Sequence, residues 1–302
     1  MRAKKKKAKD KAADRARLAA VRKMLSADPE GKKLLALARK KRVPISFSDK
    51  PEKMNANGLF DIDSKTVTLN PAAKDKLLGG VLAHELRHLW QTCVADLEER
   101  KISAADMLVR RRVIESDAFA YETRFSLAPQ LRMVEDMSKI AAKKPKSPEA
   151  IKAMKIVDRV RAQFGMKAAF MKAQKQLMPV YDKMTLRSLA LELKLARIYA
   201  EEKKFLDAHP SKSRLRTEEL RKCNKELKGI FNHVSAPQPL EKSLIRIIRE
   251  GLSPRSPNYL GITTTAQLAA VVRKQIPSKT LTKARALEKK IRKTAGRAIG
   301  RE

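Results

Sequence analysis

Residues 81–91 read "VLAHELRHLWQ" and hold two of the chain's four histidines, His84 and His88, four residues apart. A helix sets positions i and i+4 on one face, about 6 Å apart, so both imidazoles can reach one metal ion. Glu85 is then turned roughly 100° from His84, beside that point rather than on it. A general base that takes a proton from a metal-polarised water has to sit there. The stretch thus demands a helix at 81–91 and a second element that brings a third ligand to it. The competing account is an amphipathic helix whose histidines are ordinary surface or core residues. By chance, four histidines in such a chain would spell His-Glu-x-x-His only on the order of once in several hundred chains.

A third histidine six residues past His88 is missing, because position 94 is Val and position 91 is Gln. His209 and His233 lie in no motif. A carboxylate from a following helix is the other solution, and "RRRVIESDAFAYETRF" (110–125) is where to look for it. Ser103-Ala-Ala-Asp106 is a capping signal for a helix running to about Leu127, with Glu115 near its centre. A loop near 94–102 would make this helix an antiparallel neighbour of the first. Val113, Ala118, Phe119 and Ala120 surround Glu115 with apolar groups, so its carboxylate needs a partner. A salt bridge to Arg87, Arg111 or Arg112 would also supply one. Asp117 faces elsewhere on the helix and is expected behind the site, orienting one of the histidines.

Upstream, Val43, Ile45 and Phe47 alternate with Pro44, Ser46 and Ser48, the period of a short strand. "NGLFDIDSKTVTLNP" (57–71) reads as a hairpin with strands near 59–62 and 66–69. The strand at 66–69 is expected to be an edge open to an extended peptide. Asn70-Pro71 is expected to start the metal helix, with Asn as N-cap and Pro at the first helical position. Gly79-Gly80 inside that helix costs up to about 2 kcal/mol relative to Ala, which implies close backbone packing nearby. Trp90, the only tryptophan, is expected in the core.

Charge divides the chain into three expected domains. Residues 1–42 carry 17 Lys+Arg against 4 Asp+Glu, 43–140 carry 14 against 15, and 141–302 carry 38 against 14. A neutral α+β core at 43–140 is flanked by a basic helical segment at 1–42 and a basic α-helical region at 141–302. Pro129 and "KKPKSPEA" (143–150) mark the linker, and breaks fall at Pro179, Pro210, Pro237, 252–261 and Pro277.

The run "NGLFDIDSKTVTLNP…GGVLAHELRHLWQ…ESDAFA" resembles bacterial families of HExxH metallopeptidase domains, one of them mainly alphaproteobacterial. It is similar more distantly to the ImmA/IrrE-type peptidases, in which "E-A-N-x-F-A" follows on the next helix. Glu115-Ser-Asp-Ala-Phe-Ala120 falls on that pattern, with Ser for Ala and Asp for Asn, and Arg87 stands where the distant relatives usually have Gly. The resemblance covers about 43–128. It implies a zincin-like core of gluzincin type, with His84, His88 and Glu115 holding Zn2+ and Glu85 as catalytic base. Tyr121 is the nearest polar group for stabilising an oxyanion, with Tyr181, His209 and His233 further along the chain.

The expected activity is zinc-dependent hydrolysis of peptide bonds in a protein or peptide substrate. The alternative is a nucleic-acid-binding or scaffold protein whose zinc is structural or vestigial. The +24 region could meet nucleic acid or another anionic surface, although aromatics for base stacking are few. Two cysteines form no disulfide framework. The N-terminus lacks the apolar stretch of a secretory signal, and no apolar run approaches the roughly 20 residues of a membrane span. Together these lead to the expectation of a cytoplasmic protein.

Overall fold

The computed structural model describes residues 2–95, 101–127, 136–137, 139, 143, 147–210, 213–253 and 255–301. Residues 96–100 of the expected interhelix loop, and Pro129 and 144–146 of the expected linker, fall outside the described residues. Two compact units form: Met1–Leu97 with Ile114–Ala173 and Ile245–Ile262, and Glu98–Val113 with Gln174–Leu244 and Thr263–Glu302. Each is assembled from segments distant in sequence.

The first unit opens with helices α1 (Arg2–Ser26) and α2 (Pro29–Lys40). Asp28 caps α2 by accepting from the amides of Glu30 and Gly31, and Pro29 fills the position where a missing N–H costs nothing. Strands β1 (Ile45–Phe47), β2 (Gly58–Asp61) and β3 (Thr66–Leu69) form one sheet in the order β1-β3-β2. The hairpin is present as β2 and β3 in antiparallel register, Phe60 opposite Val67. β1 pairs with the other side of β3 in parallel. The sheet is therefore mixed, and Thr66–Leu69 is its centre rather than the expected edge. Alternation marks a strand as half-buried but carries no information on which neighbour takes its free side.

Helix α3 (Asp75–Cys93) carries the HELRH stretch. It starts later than Asn70-Pro71 suggests, because the Asn70 side chain accepts from Ala72 N and closes a turn instead of a helix. Arg17 of α1 holds that turn, donating to the carbonyls of Pro71 and Ala73 and to the Asp75 carboxylate. From Leu78 to Gln91 nearly every α3 residue is buried, under α1, α2, β2 and β3. Helix α4 (Ala104–Ser126) begins at its expected cap, where Ser103 Oγ accepts from Asp106 N. Helices α5 (Pro148–Phe164) and α6 (Met166–Gln176) follow.

In the second unit α7 (Met178–Ala208), α8 (Arg214–Ser235) and α10 (Ser278–Ala298) pack on one another, with the short α9 (Thr265–Arg273) before α10. Pro179 sits in the first turn of α7, and Pro277 immediately precedes α10, as the breaks require. Leu189, Leu193, Ala196, Leu227, Ala284 and Ile291 fill the core. The result is a mostly helical α+β protein. Among the described residues no helix is long and apolar enough to cross a membrane.

Candidate metal centre

His84 and His88 stand one turn apart on α3, and α4 places Glu115 opposite them. Their Nε2 atoms are 3.1 Å apart, and Glu115 Oε2 lies 3.9 Å from His84 Nε2 and 3.7 Å from His88 Nε2. A point equidistant from three atoms at these separations is about 2.1 Å from each, the length of a zinc–nitrogen or zinc–carboxylate bond. Among the described residues this is a group of histidine and carboxylate ligands able to hold a metal ion.

Both imidazoles are fixed by the ring nitrogen turned away from that point. His84 Nδ1 meets the Glu122 carboxylate at 3.1 Å. A carboxylate accepts, so Nδ1 carries the proton. His88 Nδ1 meets Gln91 Oε1 at 2.9 Å, and the other end of the Gln91 amide donates to Asp117 Oδ2 and Ile114 O. That orientation leaves Gln91 Oε1 as an acceptor and puts the proton on His88 Nδ1. In the neutral rings both Nε2 atoms then present lone pairs to each other and to Glu115. Three converging lone pairs repel unless a cation sits among them, so the donor set fits a metal ion of the zinc type.

The surrounding charges agree. Burial works against a charged His84, but its bond to Glu122 and the charges of Glu85, Glu122 and Glu115 outweigh burial and raise its pKa. Burial likewise raises the pKa of Glu85, opposed by the two histidines and by the Phe60 amide. Phe60 N donates to Glu85 Oε2 at 2.8 Å, so the outer edge of β2 faces this carboxylate. Gly58 permits this approach, since a Cβ there would lie 2.7 Å from Val81 Cγ1 and 2.9 Å from Glu85 Cγ. Gly80 plays the equivalent role for α4, where a Cβ would come within 2.4 Å of Ser126 Oγ and 3.0 Å of Glu122 O. At Gly79 a Cβ would make only ordinary contacts with Met24, so the close packing inferred from the pair belongs to Gly80.

The arginines that might have paired with Glu115 are engaged elsewhere. Arg112 forms a buried two-bond pair with Asp182, Arg111 lies over the Tyr181 ring, and Arg87 pairs with Asp117. Asp117 touches neither histidine and reaches His88 through Gln91. Its remaining bonds go to Arg87 and to the Tyr259 hydroxyl, 2.8 Å away. Arg87 is fully buried between the rings of Trp90 and Tyr121 and donates to the carbonyls of Ile247 and Arg249. Trp90, buried as expected, donates to Leu252 O. The Tyr121 hydroxyl is committed to Glu250 O and is not aimed at the histidines. Tyr181, His209 and His233 belong to the other unit, His233 bonded to Glu192 and His209 to Phe205 O.

Glu122, Gln91 and Gly58 were not picked out from the sequence. Two had a signal: Gln91 is three residues past His88 on the same helix face, and Glu122 lies two turns past Glu115. Gly58 had none, because its neighbour Glu85 is brought to it only by the packing of β2 on α3.

Residues 2–139 match the model of a family described as "Putative metallopeptidase family (DUF6782)". This part of the chain, similar to that family, contains His84, Glu85, His88 and Glu115 and ends before Ile245–Ile262. No curated protein and no solved structure matches the chain.

Proposed function

We propose that this chain is a zinc-dependent peptidase of gluzincin type, with His84, His88 and Glu115 as ligands and Glu85 as general base. The convergence of the three donor atoms on one point, with Glu85 held beside them, carries this reading. A bound zinc ion supplies Lewis acidity, which brings a water's pKa towards neutrality and polarises a carbonyl. Glu85 accepts the proton of the attacking water at one carboxylate oxygen and delivers it to the leaving amine nitrogen, so the step balances without another acid. The Phe60 amide holds Oε2 and fixes the carboxylate's orientation. Glu122 and Gln91 keep the protons of His84 and His88 on Nδ1. The edge strand facing Glu85 is β2, and it is the strand placed to receive an extended peptide backbone. A reducing, cytoplasmic setting belongs to this reading, supported by the free thiols of Cys93 and Cys223.

Metal analysis of the purified chain tests the ligand set. About one zinc per chain is expected, and His84→Ala, His88→Ala and Glu115→Ala should each weaken its retention by tenfold or more. Full zinc in Glu115→Ala together with loss in Asp117→Ala would show that the third ligand has been misassigned.

Gly58→Ala probes the base independently of the metal. Its methyl group would press on Val81 and Glu85, neither of them a proposed ligand, so zinc content should hold while the turnover rate falls by about 10- to 100-fold. Unchanged turnover would mean that the β2 approach does not position Glu85.

A further inference from the structure

Among the described residues, six cations converge on one groove of the second unit with no acidic partner. The groove, about 1720 Å³, runs between α7, α8 and α10. Helix α8 contributes Arg221, Lys225 and Lys228, α7 contributes Lys204, and α10 contributes Lys293 and Arg297; all six are exposed. The spacing i, i+4, i+7 on α8 sets its three cations along one face over about 10 Å, at 1.5 Å per residue. Asp207 is the one acidic lining residue among those described, and Lys203 of its own helix already pairs with it. Among the described residues none of the six side chains has a hydrogen-bond or ion-pair partner. Behind them Leu206, Cys223, Leu227 and Ala295 are buried, so the packed core of the helices holds these mutually repelling charges close together.

Such an arrangement focuses positive potential in a concave site and favours an occupant that brings several negative charges. The groove exceeds the 300–1,000 Å³ typical of small-molecule sites, which favours an extended ligand over a single metabolite. No aromatic ring is among the lining residues, so bases would find no stacking platform, and the contacts available are to phosphates. We propose that this groove binds the sugar–phosphate backbone of a nucleic acid without reading its sequence. This is independent of the peptidase reading and predicts the same binding after the protein is stripped of metal with a chelator.

The test is fluorescence anisotropy of the full chain with labelled oligonucleotides of about 20 nucleotides, single-stranded and duplex, in two unrelated sequences. The two sequences should bind equally, with affinity falling steeply between about 50 and 200 mM salt. Whichever of single strand and duplex binds more tightly identifies the form the groove accepts. The triple variant Arg221→Ala/Lys225→Ala/Lys228→Ala should bind at least about tenfold more weakly and lower the log–log salt slope by about 2, at roughly 0.7–0.9 per lost phosphate contact. Lys32→Ala/Lys40→Ala/Lys41→Ala removes the same charge from α2 and the residue that follows it, and should bind like the parent. Lys204→Ala and Lys293→Ala, on the other two helices, give the same reading should the triple variant fail to fold. Absence of binding at 50 mM salt, equal loss in the control variant, a clear sequence preference, or displacement of the oligonucleotide by phosphatidylglycerol vesicles would each overturn the proposal.

Discussion

Glu85→Gln should lower peptide hydrolysis by about 10²–10⁴-fold, the usual worth of a positioned base, while zinc content and thermal unfolding stay close to the parent. That range corresponds to roughly 3–5 kcal/mol of transition-state stabilisation. The substitution is nearly isosteric, and its carbonyl oxygen can still accept from the Phe60 amide that now holds Oε2 at 2.8 Å. The proposed ligands His84, His88 and Glu115 are untouched, so the metal should remain. Only the ability to take up a proton is lost. Unfolded casein and the chain itself, followed by time-resolved electrophoresis and mass spectrometry, are suitable first substrates. A Glu85→Gln protein as active as the parent would end the peptidase assignment, since a structural zinc has no use for the base.

Asp117→Ala should be among the most destabilising single substitutions, at about 3–5 kcal/mol, because it leaves the Arg87 guanidinium buried without its counter-charge. Burial alone disfavours a charged Arg87, and Asp117, in two hydrogen bonds, together with Tyr121 and Tyr259 more than offsets this. The same carboxylate accepts from Gln91 and Tyr259, so its removal also frees the group that orients His88. Calorimetry should show the midpoint falling by roughly 6–20 °C, at about 2–4 °C per kcal/mol for a unit of this size. Asp75→Ala, which breaks an exposed pair with Arg17, should cost under about 1 kcal/mol. A chain ending near residue 140 should fail to give a cooperative transition. It would lack the carbonyls of Ile247, Arg249, Glu250 and Leu252 that accept from Arg87, Tyr121 and Trp90, along with the buried side chains of Ile247 and Ile248. Near-parental melting of Asp117→Ala, or a stable 1–140 fragment, would show that this network is dispensable.

The sequence by itself determined the elements and where the candidate ligands lie on them. Helical spacing put His84 and His88 on one face, alternation marked the hairpin, Ser103 marked the start of α4, and prolines marked the helix breaks. Each is a local property, set by steric and hydrogen-bonding preferences within a few residues. The resemblance singled out Glu115 because its motif is also local. Tertiary structure alone decided which strand is the edge, that Asn70 closes a turn while Arg17 anchors it, and that Asp117 serves Arg87 first and His88 only through Gln91. It also decided that Ile245–Ile262 completes the unit holding the candidate metal centre, more than 150 residues from the helix whose donors it accepts from. These outcomes depend on which buried donor meets which acceptor across the folded chain. No periodicity records that pairing, because a lone backbone carbonyl looks the same in every sequence until packing removes it from water.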